Sequence, residues 1–317
     1  MNNKLYVVMY HYVRDLKNSR YPEIKGLDYE LFQEQIRFLK KEFQIVTMED
    51  VLDIMDQKNE LPERAALLTF DDGYADHFMN AFPVLMEEGV QGSFFIPGKT
   101  FVEHKLLDVN KIHFILATAP VTELLNDVNQ LLDQYREEYN LPSNESLFNQ
   151  HAVANRFDPK EVIYVKRLLQ TVLPERLRNM ITSIIFEKYV GISEEKFARE
   201  LYMNREQILC MKNAGMYIGL HGYDHYWLGE LPVEEMKQDT DRALEAMREF
   251  IQEDAWVMNY PYGSYNKEVI AYMKRKGCKL GLTTEVEAAV LREENRYIIS
   301  RLDTNDFPPK SRRYSEF

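Results

Sequence analysis

Two clusters of residues in this sequence could do chemistry together. The run Leu67-Leu68-Thr69-Phe70-Asp71-Asp72-Gly73-Tyr74 sets two adjacent carboxylates just past an apolar stretch, with Gly73 supplying a turn. Carboxylates that close repel, and one takes up a proton unless a cation lies between them. Taken alone, Asp-Asp-Gly is also ordinary turn chemistry. The second cluster is His221-Gly222-Tyr223-Asp224-His225, which follows the apolar run Met216-Tyr217-Ile218-Gly219-Leu220 and holds two imidazoles four positions apart. A lone histidine is more often a core or surface residue than a ligand. Two of them with one aspartate make a two-histidine, one-carboxylate set whose open positions take water and substrate, suited to zinc or another first-row divalent ion.

Both clusters need a scaffold that brings strand ends together. Short β-rich runs occur at Leu5 to Met9, Gln44 to Val46, Ala65 to Phe70, Gly92 to Ile96, Met216 to Leu220, Ala255 to Asn259 and Lys279 to Thr283. Between them lie helical spacings with caps: Asp28 before Leu31, Phe32, Gln35/Ile36 and Leu39, the Thr47/Asp50 box, and Asn204 with Gln207 at the box position. Alternating strand and helix predicts a parallel sheet covered by helices, doubly wound or closed into a barrel, whose site lies at the carboxyl ends of the strands. Residues from about 101 to 202 break the rhythm. Leu124, Leu125, Val128, Leu131, Leu132, Tyr135 and Tyr139 share one helical face, and Asp158-Pro159 starts a further helix. This reads as a helical insertion in a catalytic domain spanning 1–306, able to serve as a lid or as a dimer surface, so a homo-oligomer is compatible with it. Residues 307–317 read as a surface tail.

At 317 residues, with 45% hydrophobic and 12% aromatic content, the chain can bury a large core. A net charge of -12 argues against a nucleic-acid partner, because phosphate backbones are bound chiefly by Lys and Arg. Cys210 and Cys278 stand alone, which offers neither a disulfide framework nor a CxxC metal site. The apolar run Leu5 to Tyr10 is too short for a signal-peptide core, and no stretch approaches the roughly 18 to 20 apolar residues of a membrane span. The expected location is therefore the cytoplasm.

The sequence resembles the polysaccharide deacetylase superfamily, carbohydrate esterase family four. The matching segments are Thr69 to Tyr74, Ala81-Phe82-Pro83-Val84-Leu85, Gly92-Ser93-Phe94-Phe95-Ile96, Gly219-Leu220-His221 through His225, Tyr260-Pro261-Tyr262-Gly263 and Gly281 to Glu285, in family order. The resemblance implies an α/β fold, a distorted (β/α) barrel of about seven parallel strands, and a hydrolase that removes N-acetyl or O-acetyl groups from an amino sugar or glycan precursor. It also implies site roles: Asp71 as base, Asp72, His221 and His225 as ligands of one divalent metal, and Tyr262 as the source of a backbone N–H for the oxyanion. Zinc is the expected ion, with cobalt, nickel, iron or manganese as substitutes.

Two family features are missing at their usual places. Asn259 and Tyr260 precede Pro261 where many members carry an arginine that orients the base, and no histidine follows His225 to protonate the leaving amine. His11, just past the first strand, and Arg301, in the polar run Ser300 to Asp306, are the candidates to fill these roles, with Asp303 as a further orienting acid. Lys99 and Tyr74 are placed near the rim, and His77, His104, His113 and His151 read as structural or solvated. Three other functions fit parts of the pattern: an amidohydrolase of a cyclic amide or imide, an iron oxygenase, and a binding protein without catalysis.

Overall fold

The computed structural model describes residues 4–156, 158–253 and 255–317. They form two compact units: one of described residues within 4–15, 26–105 and 199–317, the other of those within 16–25 and 106–198.

The first unit is built on a curled, largely parallel sheet. Seven parallel strands frame it: β1 (Lys4–Tyr10), β2 (Ala65–Asp71), β3 (Ser93–Ile96), β4 (Tyr217–Leu220), β5 (Val257–Asn259), β6 (Leu280–Leu282) and β7 (Leu302–Asp303), with the short Gln44–Ile45 as a further parallel strand beside β2. Strands β1 to β6 pair in sequence order, and β7 pairs with the free side of β1. Ile299, three residues before β7, also bridges Leu282 of β6, giving its N–H to Gly281 and accepting from Thr283. One short segment thus touches both ends of the sheet, which makes the architecture a distorted barrel. Ala289–Val290 runs antiparallel against β1, and Gln44–Ile45 adds to β2.

Period-2 alternation sorts the side chains. Val8, Tyr10, Leu68, Phe70, Phe94, Ile96, Ile218, Leu220 and Met258 pack with Phe32, Ile36 and Leu39 of the helix Tyr29–Glu42. The alternate positions Leu5, Val7, Ala65, Leu67, Phe95, Tyr217, Val257 and Leu280 form a second core on the other face. Following that second parity to the last strand residue or one step beyond it arrives at Asp71 and Asn259, and at His11 and His221. The buried face therefore supplies the floor from which the polar residues rise.

Local chemistry sets the helices as the sequence implies. Asp28 accepts from Glu30 N at the start of Tyr29–Glu42, and both the Thr47/Asp50 and Asn204/Gln207 capping boxes are closed in both directions. Gln35, buried in the first of these helices, donates to the carbonyls of Thr304 and Pro308 at 2.9 and 3.0 Å, and Phe307 is fully buried with its ring stacked on Tyr314.

The second unit contains helices and no strand among its described residues. In Val121–Tyr139 the stripe Leu124, Val128 and Leu132 is buried, and Pro159 precedes Lys160–Arg167. The Asp158 carboxylate is held by Lys25 and by Lys166, the latter at 2.7 Å. No helix among the described residues is long and apolar enough to cross a membrane.

Candidate active site

Asp71 is the last residue of β2, and Asp72 is the first beyond it. In a strand their side chains would point to opposite faces. Instead Asp72 and Gly73 adopt φ of 74° and 69°, which turns the chain and lets both carboxylates face one pocket. A non-glycine residue there costs roughly 1–2 kcal/mol. Gly73 has no alternative, since a Cβ would lie 2.7 Å from the Ile96 side chain. His225 at φ 59° and Tyr262 at φ 58° repeat the left-handed conformation, so strained backbone gathers at this pocket.

His221 continues β4 and gives its Nδ1 proton to the Asn259 carbonyl at 2.6 Å, since a carbonyl can only accept. In the neutral ring Nε2 then carries a lone pair. That atom lies 3.3 Å from Asp72 Oδ1, and His225 Nε2 lies 3.2 Å from the same oxygen. His225 lacks a matching anchor: its Nδ1 is buried without a hydrogen-bond partner among the described residues. Its loop is held through the backbone, where the buried Asp239 carboxylate accepts from Tyr223 N at 3.0 Å and Asp224 N at 2.8 Å.

Among the described residues Asp72 Oδ1 is buried with no hydrogen bond of its own, while Oδ2 accepts the Tyr74 hydroxyl at 2.5 Å. Lone pairs of two imidazoles and a carboxylate converging without a proton or cation between them would repel, and a buried acceptor left bare costs about 1–3 kcal/mol. The donor set fits a metal. Donors about 2.0–2.2 Å from a tetrahedral zinc stand about 3.3–3.6 Å from one another, close to the spacing found here. The ligand atoms of Asp72, His221 and His225 all lie within 4.8 Å, and this is the one such group of three among the described residues.

Asp71 has a different partner. Arg301, whose side chain is fully buried, donates both ends of its guanidinium to the Asp71 carboxylate at 2.8 Å each. The same fork is fixed by the Thr283 carbonyl at 2.7 Å and Thr69 Oγ1 at 3.2 Å. Burial alone would raise the Asp71 pKa, but the Arg301 charge and hydrogen bonds outweigh it and hold the carboxyl far below the usual range. His11 Nε2 stands 3.8 Å from Asp71 Oδ2, with the ring 38% exposed. His77 Nε2 meets the His11 carbonyl at 2.8 Å, and burial pushes the His77 pKa down to about 4. The Tyr262 ring stacks on Trp227 at 4.3 Å and presents an edge contact to His225 at 4.7 Å.

The structure brings together all seven residues singled out from the sequence: His11, Asp71, Asp72, His221, His225, Tyr262 and Arg301. It moves others. Tyr74, expected at the rim, is fully buried beneath Asp72, because its ring completes the core behind the Asp-Asp-Gly turn. Lys99 is tied to Asp224 at 2.6 Å. Asp303 caps the turn that follows it, accepting from Asn305 N at 2.8 Å. Tyr12, next to His11, and Trp227, two positions past His225, lie close enough to a candidate residue to be suspected, whereas Asp239 carries no such signal.

Comparison with known proteins agrees with this architecture. The chain is 19% identical over 300 residues to YxkH of Bacillus subtilis strain 168, which carries a polysaccharide deacetylase name, covering 94% of this chain and 71% of that one. It superposes on IcaB from Ammonifex degensii with a TM-score of 0.57 at 19% identity, covering 99% and 98% of the two chains. The Streptococcus pyogenes deacetylase PplD, solved with acetate, gives 0.56 at 16% identity over 100% and 98%. At such identities the structural matches carry the fold. The polysaccharide deacetylase family model matches residues 58–136 and 181–281, more than half of the sequence, and the chain belongs to that family.

Proposed function

We propose that this protein is a metal-dependent deacetylase that hydrolyses the N-acetyl group of an amino sugar within a glycan or glycan precursor. One observation carries the reading: a buried carboxylate oxygen without a hydrogen bond faces two imidazole nitrogens at 3.2 and 3.3 Å, beside a second carboxylate locked by Arg301. Family membership supplies the reaction class.

Asp72, His221 and His225 would hold the ion. When bound, a divalent metal polarises the acetyl carbonyl and brings a water's pKa from 15.7 to about 7. Asp71 takes the proton of the attacking water. Its ionised form is kept available by Arg301, whose fork also fixes the direction of the carboxylate. His11 reaches the pocket from the solvent side and protonates the departing amine, the role left vacant by the lack of a histidine after His225. The backbone N–H of Tyr262 stabilises the developing oxyanion, its direction set by the left-handed turn and by the ring's stacking on Trp227.

The test is acetate release by zinc- or cobalt-loaded protein from oligomers of N-acetylglucosamine, with O-acetylated glycans and cyclic imides alongside. Turnover of the N-acetylated sugars, abolished by chelation and restored by metal, is the expected result. Turnover of the imide alone would replace this reading with a cyclic amidohydrolase.

A further inference from the structure

Asp72 offers two oxygens, and only one of them faces the imidazoles. The other is closed off by Tyr74, whose hydroxyl donates to Oδ2 at 2.5 Å. Tyr74 has a single hydroxyl proton, and the carboxylate takes it. The Tyr12 hydroxyl, which pairs with that of Tyr74, must then be the donor in their contact. A directed chain runs from Tyr12 to Tyr74 to Asp72.

The chain is rigid for reasons independent of its polar atoms. The Tyr12 and Tyr74 rings stack at 4.1 Å and 21°, and both are almost completely buried. Tyr202 lies on Tyr74 at 6.2 Å and 11°, its backbone bridged to that of Tyr74, and Met203 N donates to the Gly73 carbonyl at 2.9 Å. Three aromatic layers therefore brace the turn that carries Asp72 from behind.

We infer that Tyr74, backed by Tyr12, is a positioning residue for the metal site: it occupies Asp72 Oδ2 so that the carboxylate binds the ion through Oδ1 alone. This rests on the metal reading of the Asp72, His221 and His225 set and adds a determinant behind it. A carboxylate free to rotate can present both oxygens, which fills a coordination position that water or substrate would use. Partners of metal ligands that fix their orientation are worth roughly 10- to 100-fold in metal affinity.

The experiment is titration of the full chain with Co²⁺ alone, reading affinity and the visible d–d spectrum, for wild type, Tyr74→Phe and Tyr12→Phe. Phenylalanine keeps the stacked rings and removes only the hydroxyl, and circular dichroism of each metal-free variant checks that the fold is retained. Tyr74→Phe should bind Co²⁺ roughly 10- to 100-fold more weakly, with a spectrum displaced from that of wild type as the carboxylate mode changes. Tyr12→Phe should give a smaller loss in the same direction. A wild-type affinity and spectrum for Tyr74→Phe would overturn the positioning role while leaving the metal site standing. Failure of wild-type protein to bind Co²⁺ would overturn both. Should Tyr74→Phe not fold, wild-type affinity and spectrum in Tyr12→Phe would overturn the relay.

Discussion

Asp71 and Asp72 are adjacent, have the same side chain and are both buried, yet each belongs to a different half of the pocket. Around Asp71 the partner is a cation, and a bidentate guanidinium closes all of its charge. Around Asp72 the partners are two imidazoles that leave one oxygen without a hydrogen bond. The first half is complete within the chain, and the second is the half that the proposed cation would complete. Identity of residue therefore says little about role here; the role is set by what the neighbouring strand ends bring. Arg301 serves Asp71 because its segment is hydrogen-bonded to both ends of the sheet, and His221 serves Asp72 because the Asn259 carbonyl fixes its tautomer.

The sharpest way to break the comparison is to remove one half at a time. His221→Ala and His225→Ala should lose both the bound metal and turnover, measured by elemental analysis and acetate release. Asp71→Asn should retain the metal and lose about 10²- to 10⁴-fold in kcat, the range of a positioned base. Equal metal loss in all three variants would mean that the two halves are one. His11→Ala comes next. As the proposed proton donor outside the proposed ligand set it should lower kcat by roughly 10²-fold, the lower end of that range, with metal affinity unchanged; an unaltered rate would remove it from the mechanism.

Arg301→Lys keeps the charge and loses the fork. Forfeiting one charge-assisted hydrogen bond of about 1.5–3 kcal/mol should cost roughly 10- to 100-fold in kcat/KM. It should also move the pH profile in a fixed direction. The Asp71 carboxyl, held far below its ordinary value, stays ionised deep into acid. With a weaker partner its pKa rises, so the acidic limb of kcat/KM shifts to higher pH. The same depressed pKa stabilises the fold above the unfolded carboxylate value of about 4, a contribution lost as pH falls toward the folded value. The variant should therefore also unfold at a higher pH during acid titration. A limb that stays in place would detach Arg301 from the base.

How much of this was legible in the sequence follows the same division. The strands were readable because each is a continuous or alternating apolar run, and the Asp72, His221 and His225 cluster was readable because its residues follow two such runs directly. Arg301 stood out only as a polar residue in what looked like an exit turn. The structure makes that turn the strand β7, whose two residues Leu302–Asp303 are too short to give a period. Tyr74 was misplaced for a related reason: a tyrosine after a glycine turn looks like rim, and only the packing of Tyr12 and Tyr202 around it shows that the turn folds back into the core. Asp239 lies in the helix Val233–Met247 with no motif near it, so its service to the histidine loop is a matter of tertiary placement alone.

That placement supplies the smallest test of the two halves. Asp239 touches neither carboxylate of the pair; it holds the backbone of Tyr223 and Asp224, and so fixes the residues just before His225, whose own φ of 59° cannot be maintained by local preference. A Cβ on Gly222 would lie 3.1 Å from its Oδ2, so the loop and the carboxylate are fitted to each other. Asp239→Asn keeps one acceptor and turns the other into a donor facing an N–H. The mismatch should cost about 1–3 kcal/mol of stability, read from chemical denaturation of the metal-free protein. It should weaken metal binding several-fold, less than the roughly 10- to 100-fold expected for a direct partner of a ligand. Because the Asp71 half does not depend on this loop, kcat at saturating metal and the acidic limb should match wild type. A shifted limb in Asp239→Asn would mean that the histidine loop also positions the base, and the division between the two carboxylates would then have to be redrawn.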